Sequence, residues 1–203
     1  MTAYIICLIV GYFCGCISMG YFVGRFYHMD IRTKGSGNAG TTNVLRNLGK
    51  IPALITFAGD LVKAIIPILV IRLVFTPEQW YLWCLYCGLG VVLGHNYPFY
   101  LGFKGGKGIL CSGTLLLLLD WRIAAVGWGL FALLWLTTRY VSLGSVSGAA
   151  SFPITTLIFC RSNWTVFVLS LLIAALVIWA HRENIGRLLH GTESRFRWHT
   201  DAP

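Results

Sequence analysis

The sequence predicts an all-α integral membrane protein: one domain over residues 1–203, about seven transmembrane helices, the N-terminus outside and the C-terminus cytoplasmic. Three observations predict it. Hydrophobic residues make up 57% of the 203-residue chain and charged residues 11%, with a mean hydropathy of +0.72; a soluble domain carries about 25% charge to cover its surface. The apolar residues gather into blocks at 4–23, 51–75, 80–100, 109–119, 121–138, 143–160 and 164–180. Crossing a hydrocarbon layer roughly 30 Å thick takes about 20 residues, and most blocks reach that length. Finally, seven spans put the termini on opposite sides. With the C-terminus inside, Arg25, Arg32, Lys34, Arg46, Lys50, Lys104, Lys107, Arg139, Arg182, Arg187, Arg195 and Arg197 are cytoplasmic, while Arg72, Arg122 and Arg161 lie near the outer surface.

The first block resembles a signal peptide in hydropathy, but residues 1–4 carry no basic side chain and no small-x-small site ends it, so it is expected to be retained. The second block contains Asp60 and Lys63 at i, i+3 spacing; ionisable groups inside a span usually pair, so a structural ion pair is expected. The third opens on Trp80, Tyr81 and Trp83, an interfacial aromatic cluster. It also carries Cys84 and Cys87. A closed metal site needs four ligands and no second pair accompanies these two, so they read as small apolar filler. The fourth block, 109–119, is short and spans only by borrowing from its flanks. Small polar Ser145 and Ser147 in the sixth read as helix-packing residues. No internal repeat is evident. The net charge of +9 sits in the inner loops and tail, where it serves topology and also suits anionic lipid and anionic substrates.

The unusual chemistry lies in the inner connections. Between the first two spans runs Lys34-Gly-Ser-Gly-Asn-Ala-Gly-Thr-Thr-Asn-Val-Leu-Arg46. Gly35, Gly37 and Gly40 let the backbone approach a ligand, and successive free N–H groups make a concave anion cradle. Ser36, Asn38, Thr41, Thr42 and Asn43 add neutral hydrogen-bonding groups, and Arg46 adds charge. A helix beginning near Thr42 would also favour phosphate at its N-terminus. The glycine spacing fits a dinucleotide fingerprint, but no strand precedes it. It also fits part of a Walker loop, but Thr41 stands where lysine is needed.

A second inner connection is His95-Asn-Tyr-Pro-Phe-Tyr-Leu-Gly-Phe-Lys-Gly-Gly-Lys-Gly108. Pro98 ends the third span, and Lys104 and Lys107 offer charges to phosphate oxygens. Two glycine-rich cationic loops on one membrane face can converge on one or two phosphoryl groups. Ser142 beside Arg139, and His181 with Asn184 on one face of a helical continuation of the last span, are further ligand candidates. His181 can act as a proton shuttle, as a hydrogen-bond donor, or as an ordinary interfacial histidine.

These segments, together with Arg139-Tyr-Val-Ser-Leu143 and His181-Arg-Glu-Asn-Ile-Gly-Arg-Leu-Leu189, resemble the bacterial acyl phosphate:glycerol-3-phosphate acyltransferases, the PlsY family. The match touches every inner connection in order; a minor departure is Thr41-Thr42, where Ala-Thr is more usual. The resemblance implies a seven-span enzyme of the bacterial inner membrane with a cytoplasmic active site. It implies transfer of an acyl chain from acyl phosphate to glycerol 3-phosphate, giving lysophosphatidic acid, the first committed intermediate of phospholipid synthesis. The implied partners are these two substrates, the bilayer, and functional coupling to an enzyme that makes acyl phosphate; no nucleic acid, metal or cofactor is implied. Residues 36–42 would hold one phosphate. Arg46, Lys104, Ser142, His181 and Asn184 would hold or orient the other substrate, with His181, Lys104, Ser142 and Asn184 in catalytic roles, and Asn43, His95 and Lys107 would join the substrate-binding phosphate loops.

The residues independently exclude some chemistry. No histidine is followed five residues later by aspartate, so the His-x4-Asp dyad of acyl-CoA-dependent glycerolipid acyltransferases is missing. No activated serine, and no cysteine in an electropositive loop, suggests a covalent acyl-enzyme. Positioning and electrostatic stabilisation remain, with the substrate hydroxyl's proton going to the donor's own phosphate or to His181. The alternative is an anion or phosphate transporter, which would need more polarity at the bilayer midplane than Asp60 and Lys63 provide.

Overall fold

The computed structural model describes residues 2–75, 80–160 and 163–196. Arg161 and Arg197, given sides of the membrane above, lie outside them. Every regular element among the described residues is helical: α1 (Thr2–Cys16), α2 (Met19–Phe26), α3 (Thr41–Leu48), α4 (Lys50–Val74), α5 (Trp80–Asn96), α6 (Ile109–Leu119), α7 (Trp121–Thr138), α8 (Val141–Phe159), α9 (Trp164–Ala180) and α10 (Arg182–Leu189), with 3-10 turns at Ile31–Thr33 and Phe99–Leu101. Four spans, Thr2–Phe26 (α1 with α2), α4, α7 and α8, are long and apolar enough to cross a membrane, or five if the bent pair α9–α10 counts as one. The 17-residue α5 is shorter, and the 11 residues of α6 reach only about 16 Å.

The first apolar block is not one continuous helix. It breaks at Ile17–Ser18, and the carbonyls freed there are taken by side chains from elsewhere: Tyr100 Oη donates to Cys16 O at 2.8 Å and Lys63 Nζ donates to Ile17 O at 2.7 Å. Lys63 also forms the expected ion pair with Asp60, 2.8 Å apart though out of line for a hydrogen bond.

Close packing is set by glycine. Gly11 and Gly15 on α1 and Gly90 and Gly94 on α5 form two small-xxx-small stripes. A Cβ on any of the four would stand 2.0–2.2 Å from a carbonyl oxygen of the facing helix. Gly148 of α8 lies close to α7 in a looser contact, where an added Cβ would stand 2.9 Å from Gly127 O. Cys84 and Cys87 are buried free thiols within α5, consistent with a packing role.

The chain runs back and forth between two ends. At one, Arg72 Nη1 bonds Leu118 O, Arg122 lies over Phe159, and Tyr81 meets Cys160. At the other lie the segments 27–40, 97–108, 139–140 and 181–196, and there the polar residues collect. The flanks of α1, α4, α8 and α9 expose Ile, Leu, Val and Phe, as a lipid-facing surface does.

Candidate active site

The first glycine-rich loop is organised by Asn43, buried on α3. Its amide group donates to the carbonyls of Ile31, Lys34 and Asn38 at 2.9–3.0 Å, and its Oδ1 accepts from Ser36 N at 2.9 Å. Two hydrogens serve three acceptors, so one is shared. The loop can wrap this closely because Gly35 (φ +56°) adopts a left-handed conformation, and a Cβ there would stand 2.4 Å from Asn43 Oδ1. Asn38 closes a turn by accepting from Gly40 N at 2.8 Å. The helix α3 then starts at Thr41 with no side-chain cap, which leaves its leading N–H groups and positive dipole end for a ligand.

The second loop folds back over the end of α5. Gly105 N donates to Asn96 O (3.0 Å) and Gly106 N to His95 O (2.8 Å). Asn38 Nδ2 joins the two loops through Gly105 O at 3.1 Å, and Arg32, held by Asp30, donates to Leu101 O at 2.8 Å. Lys107 turns inward and donates to Asn184 Oδ1. Burial pushes its ammonium down to about 8, the neighbouring Arg187 charge adding to the effect and Glu193 opposing it.

The last span bends by 59° where α9 meets α10, at His181. His181 Nδ1 lies 2.8 Å from Val177 O. A carbonyl only accepts, so Nδ1 carries the proton and Nε2 of the neutral ring keeps a lone pair. His95 is the opposite case: Lys63 Nζ donates to its Nδ1 at 2.8 Å, which places the proton on Nε2.

These segments enclose one cavity of about 270 Å³. Its polar end is lined by Ser36, Asn38, Gly40, Thr41, Thr42, Asn43, Arg46, His95, Lys107, Ser142, His181 and Asn184, so twelve of the fourteen residues expected from the sequence meet in one place. Gly37 and Lys104 are exposed and stand outside the lining. The cavity continues between α6, α7, α8 and α9 as an apolar limb past Leu116, Trp128, Phe131, Phe152 and Ile173. A ligand with an anionic head and a long hydrocarbon tail fits that division.

Glu193 is the lining residue that sequence reasoning missed. It accepts from Ser142 Oγ (2.9 Å), Asn184 Nδ2 (2.8 Å) and Arg187 Nε (2.7 Å). Burial raises its pKa, but those hydrogen bonds outweigh burial and hold it below the usual carboxylate value. In a basic, polar tail it reads as a surface residue, and only the fold brings it inside. Ser142 is thus paired with a carboxylate, with no histidine to activate it as a nucleophile.

A family model described as glycerol-3-phosphate acyltransferase matches residues 5–191. The glycerol-3-phosphate acyltransferase of Thermus thermophilus is 42% identical over 202 residues, 100% of both chains, and that of Geotalea daltonii is 38% identical over 197 residues, 97% of this chain and 100% of its own. Among solved structures, PlsY (YgiH), an integral membrane glycerol 3-phosphate acyltransferase, matches in its glycerol 3-phosphate form with a TM-score of 0.86 at 35% identity, covering 96% of each chain. Its lysophosphatidic acid form matches at 0.82 and 34%, covering 96% of this chain and 95% of the other.

Proposed function

Because this chain belongs to the glycerol-3-phosphate acyltransferases of the PlsY family, integral membrane enzymes of lipid synthesis, we propose that it acylates glycerol 3-phosphate from an acyl phosphate, releasing lysophosphatidic acid and phosphate. The observation that carries the donor assignment is the joining of two anion-binding loops at the head of an apolar limb. The phosphate of the donor lies in the polar end against the loop 36–42, the start of α3 and Lys107, and its chain lies between α6 and α8. Glycerol 3-phosphate enters beside Arg46, Ser142, His181 and Asn184.

An acyl phosphate is already activated, so the protein supplies proximity and charge stabilisation without a covalent intermediate. The acceptor oxygen attacks the acyl carbon, the carbon–oxygen bond to phosphate breaks, and the hydroxyl proton leaves to a base. That base is the donor's own phosphate or His181, whose fixed Nδ1–H tautomer leaves Nε2 as an acceptor. In this reading seven segments cross the bacterial inner membrane, N-terminus outside. Support comes from the end-to-end alternation of the helices and the excess of basic residues at the site end, which the positive-inside rule makes cytoplasmic.

The test is turnover of purified protein in detergent, with acyl phosphate and acyl-CoA compared. Lysophosphatidic acid formed from acyl phosphate alone is the expected result; equal use of acyl-CoA contradicts the donor assignment. Anion transport, the alternative, predicts no turnover without a sealed membrane.

A further inference from the structure

The segment after α10 is strapped across the α7–α8 turn. Phe196 N donates to Arg139 O at 2.7 Å, and Arg195 both bonds Tyr140 Oη at 3.3 Å and lies over its ring. This strap carries Glu193 into the cavity, where its side chain is 5% exposed. One carboxylate oxygen takes Ser142 and Asn184, and the other takes Arg187, which balances the charge.

An ionised carboxylate only accepts hydrogen bonds, so it dictates the direction of each partner's bond. Ser142 has one proton and gives it to Glu193, leaving its oxygen lone pairs for the cavity. Asn184 gives an N–H to Glu193, which turns its Oδ1 to Lys107. A tail anchor would need only the exposed side of Arg187, whereas two of Glu193's three partners line the cavity.

From these bonds we infer that Glu193 is a positioning residue for the acceptor substrate: it makes Ser142 a fixed hydrogen-bond acceptor for a glycerol hydroxyl and holds Asn184 against Lys107. The inference rests on the reading of glycerol 3-phosphate as the acceptor.

The test is a double-mutant cycle on full-length protein in detergent: wild type, E193Q, S142A and E193Q/S142A, each measured for glycerol 3-phosphate affinity by titration, for kcat and both KM values, and for Tm. Glutamine keeps the shape but brings an N–H₂ that competes with Ser142 and Asn184. E193Q is expected to lower kcat/KM for glycerol 3-phosphate about 10–100-fold, the size of a lost charged hydrogen bond, while the KM for the acyl donor moves less than about threefold. In the S142A background the same substitution is expected to cost at least about threefold less than in wild type, the remainder acting through Asn184. Equal losses in both backgrounds, or unchanged kinetics per folded molecule with only Tm lowered, overturn the inference. If E193Q does not fold, E193D keeps the charge while shortening the reach, and unchanged acceptor kinetics in it overturn the inference equally. The reading beneath is decided separately: wild type that turns over neither donor overturns the acyl-transfer function, and the affinity titrations still complete the cycle.

Discussion

Asn38 Nδ2 donates to the carbonyl of Gly105 at 3.1 Å, and with Ala39 N, which donates to the same oxygen at 3.5 Å, it ties together two loops 67 residues apart in sequence. The same side chain, through Oδ1, caps the turn at Gly40 that sets the start of α3. Replacing Asn38 with alanine removes both, at a cost of about 1–3 kcal/mol if the partners stay unsatisfied. The expected result is a roughly 10–100-fold weaker KM for the acyl donor, with a Tm drop of only a few degrees. Steady-state kinetics and a thermal melt check it.

Gly106 supports His95 by having no side chain. A Cβ there would stand 1.9 Å from His95 Nε2, and His95 cannot yield because Lys63 holds its other nitrogen. G106A is expected to lower Tm and abolish turnover. On α10, G186A meets no heavy atom within 4 Å and is expected to be neutral or stabilising by about 0.5–1 kcal/mol. The pair of melts separates local fit from a general intolerance of glycine loss.

Lys107 binds anions only while protonated, and in the free protein that form is lost as pH rises through about 8. The KM for acyl phosphate is therefore expected to be flat below that pH and to rise about tenfold per pH unit above it. Binding a dianion pulls the lysine pKa back up, so the protein takes up a proton on binding near pH 8–9. K107R is expected to flatten the profile. K104A, outside the cavity, is expected to retain most activity, while K107A loses it. A pH series on the three variants measures this.

His181→Ala reports the base. A fall in kcat above about 10⁴-fold with substrate affinity intact marks His181 as the proton acceptor, and a smaller fall leaves the donor's phosphate in that role.

Gly127 lines the apolar limb, and a Cβ added there meets nothing closer than 3.5 Å. G127A is therefore expected to fold and to narrow the space for the acyl chain. Competition between long- and short-chain acyl phosphates should shift towards the short chain by about one to two orders of magnitude.

Much of this site was legible because glycine and hydrogen-bonding residues clustered where lipid-facing sequence has neither. Ser36, Thr41 and Lys107 stood out for that reason, and Pro98 announced the end of α5. Three features were not legible. The break at Ile17–Ser18 has no proline or glycine at the break itself, and its freed carbonyls are satisfied by Lys63 and Tyr100, more than forty and eighty residues away. The glycine stripes on α1 and α5 state their purpose only when the helices are seen in contact. Glu193 and the two lysines of the second loop differ by direction alone: periodicity does not say that Lys107 points in, Lys104 out, and a tail carboxylate under Ser142.

The most direct test is a crystal structure of this protein with a non-hydrolysable acyl phosphonate. The phosphonate is expected within hydrogen-bond reach of the first N–H groups of α3 and of Lys107 Nζ, with its alkyl chain between α6 and α8 past Leu116 and Phe152. A phosphonate bound elsewhere, or a chain lying on the outer face of the bundle, would contradict that placement.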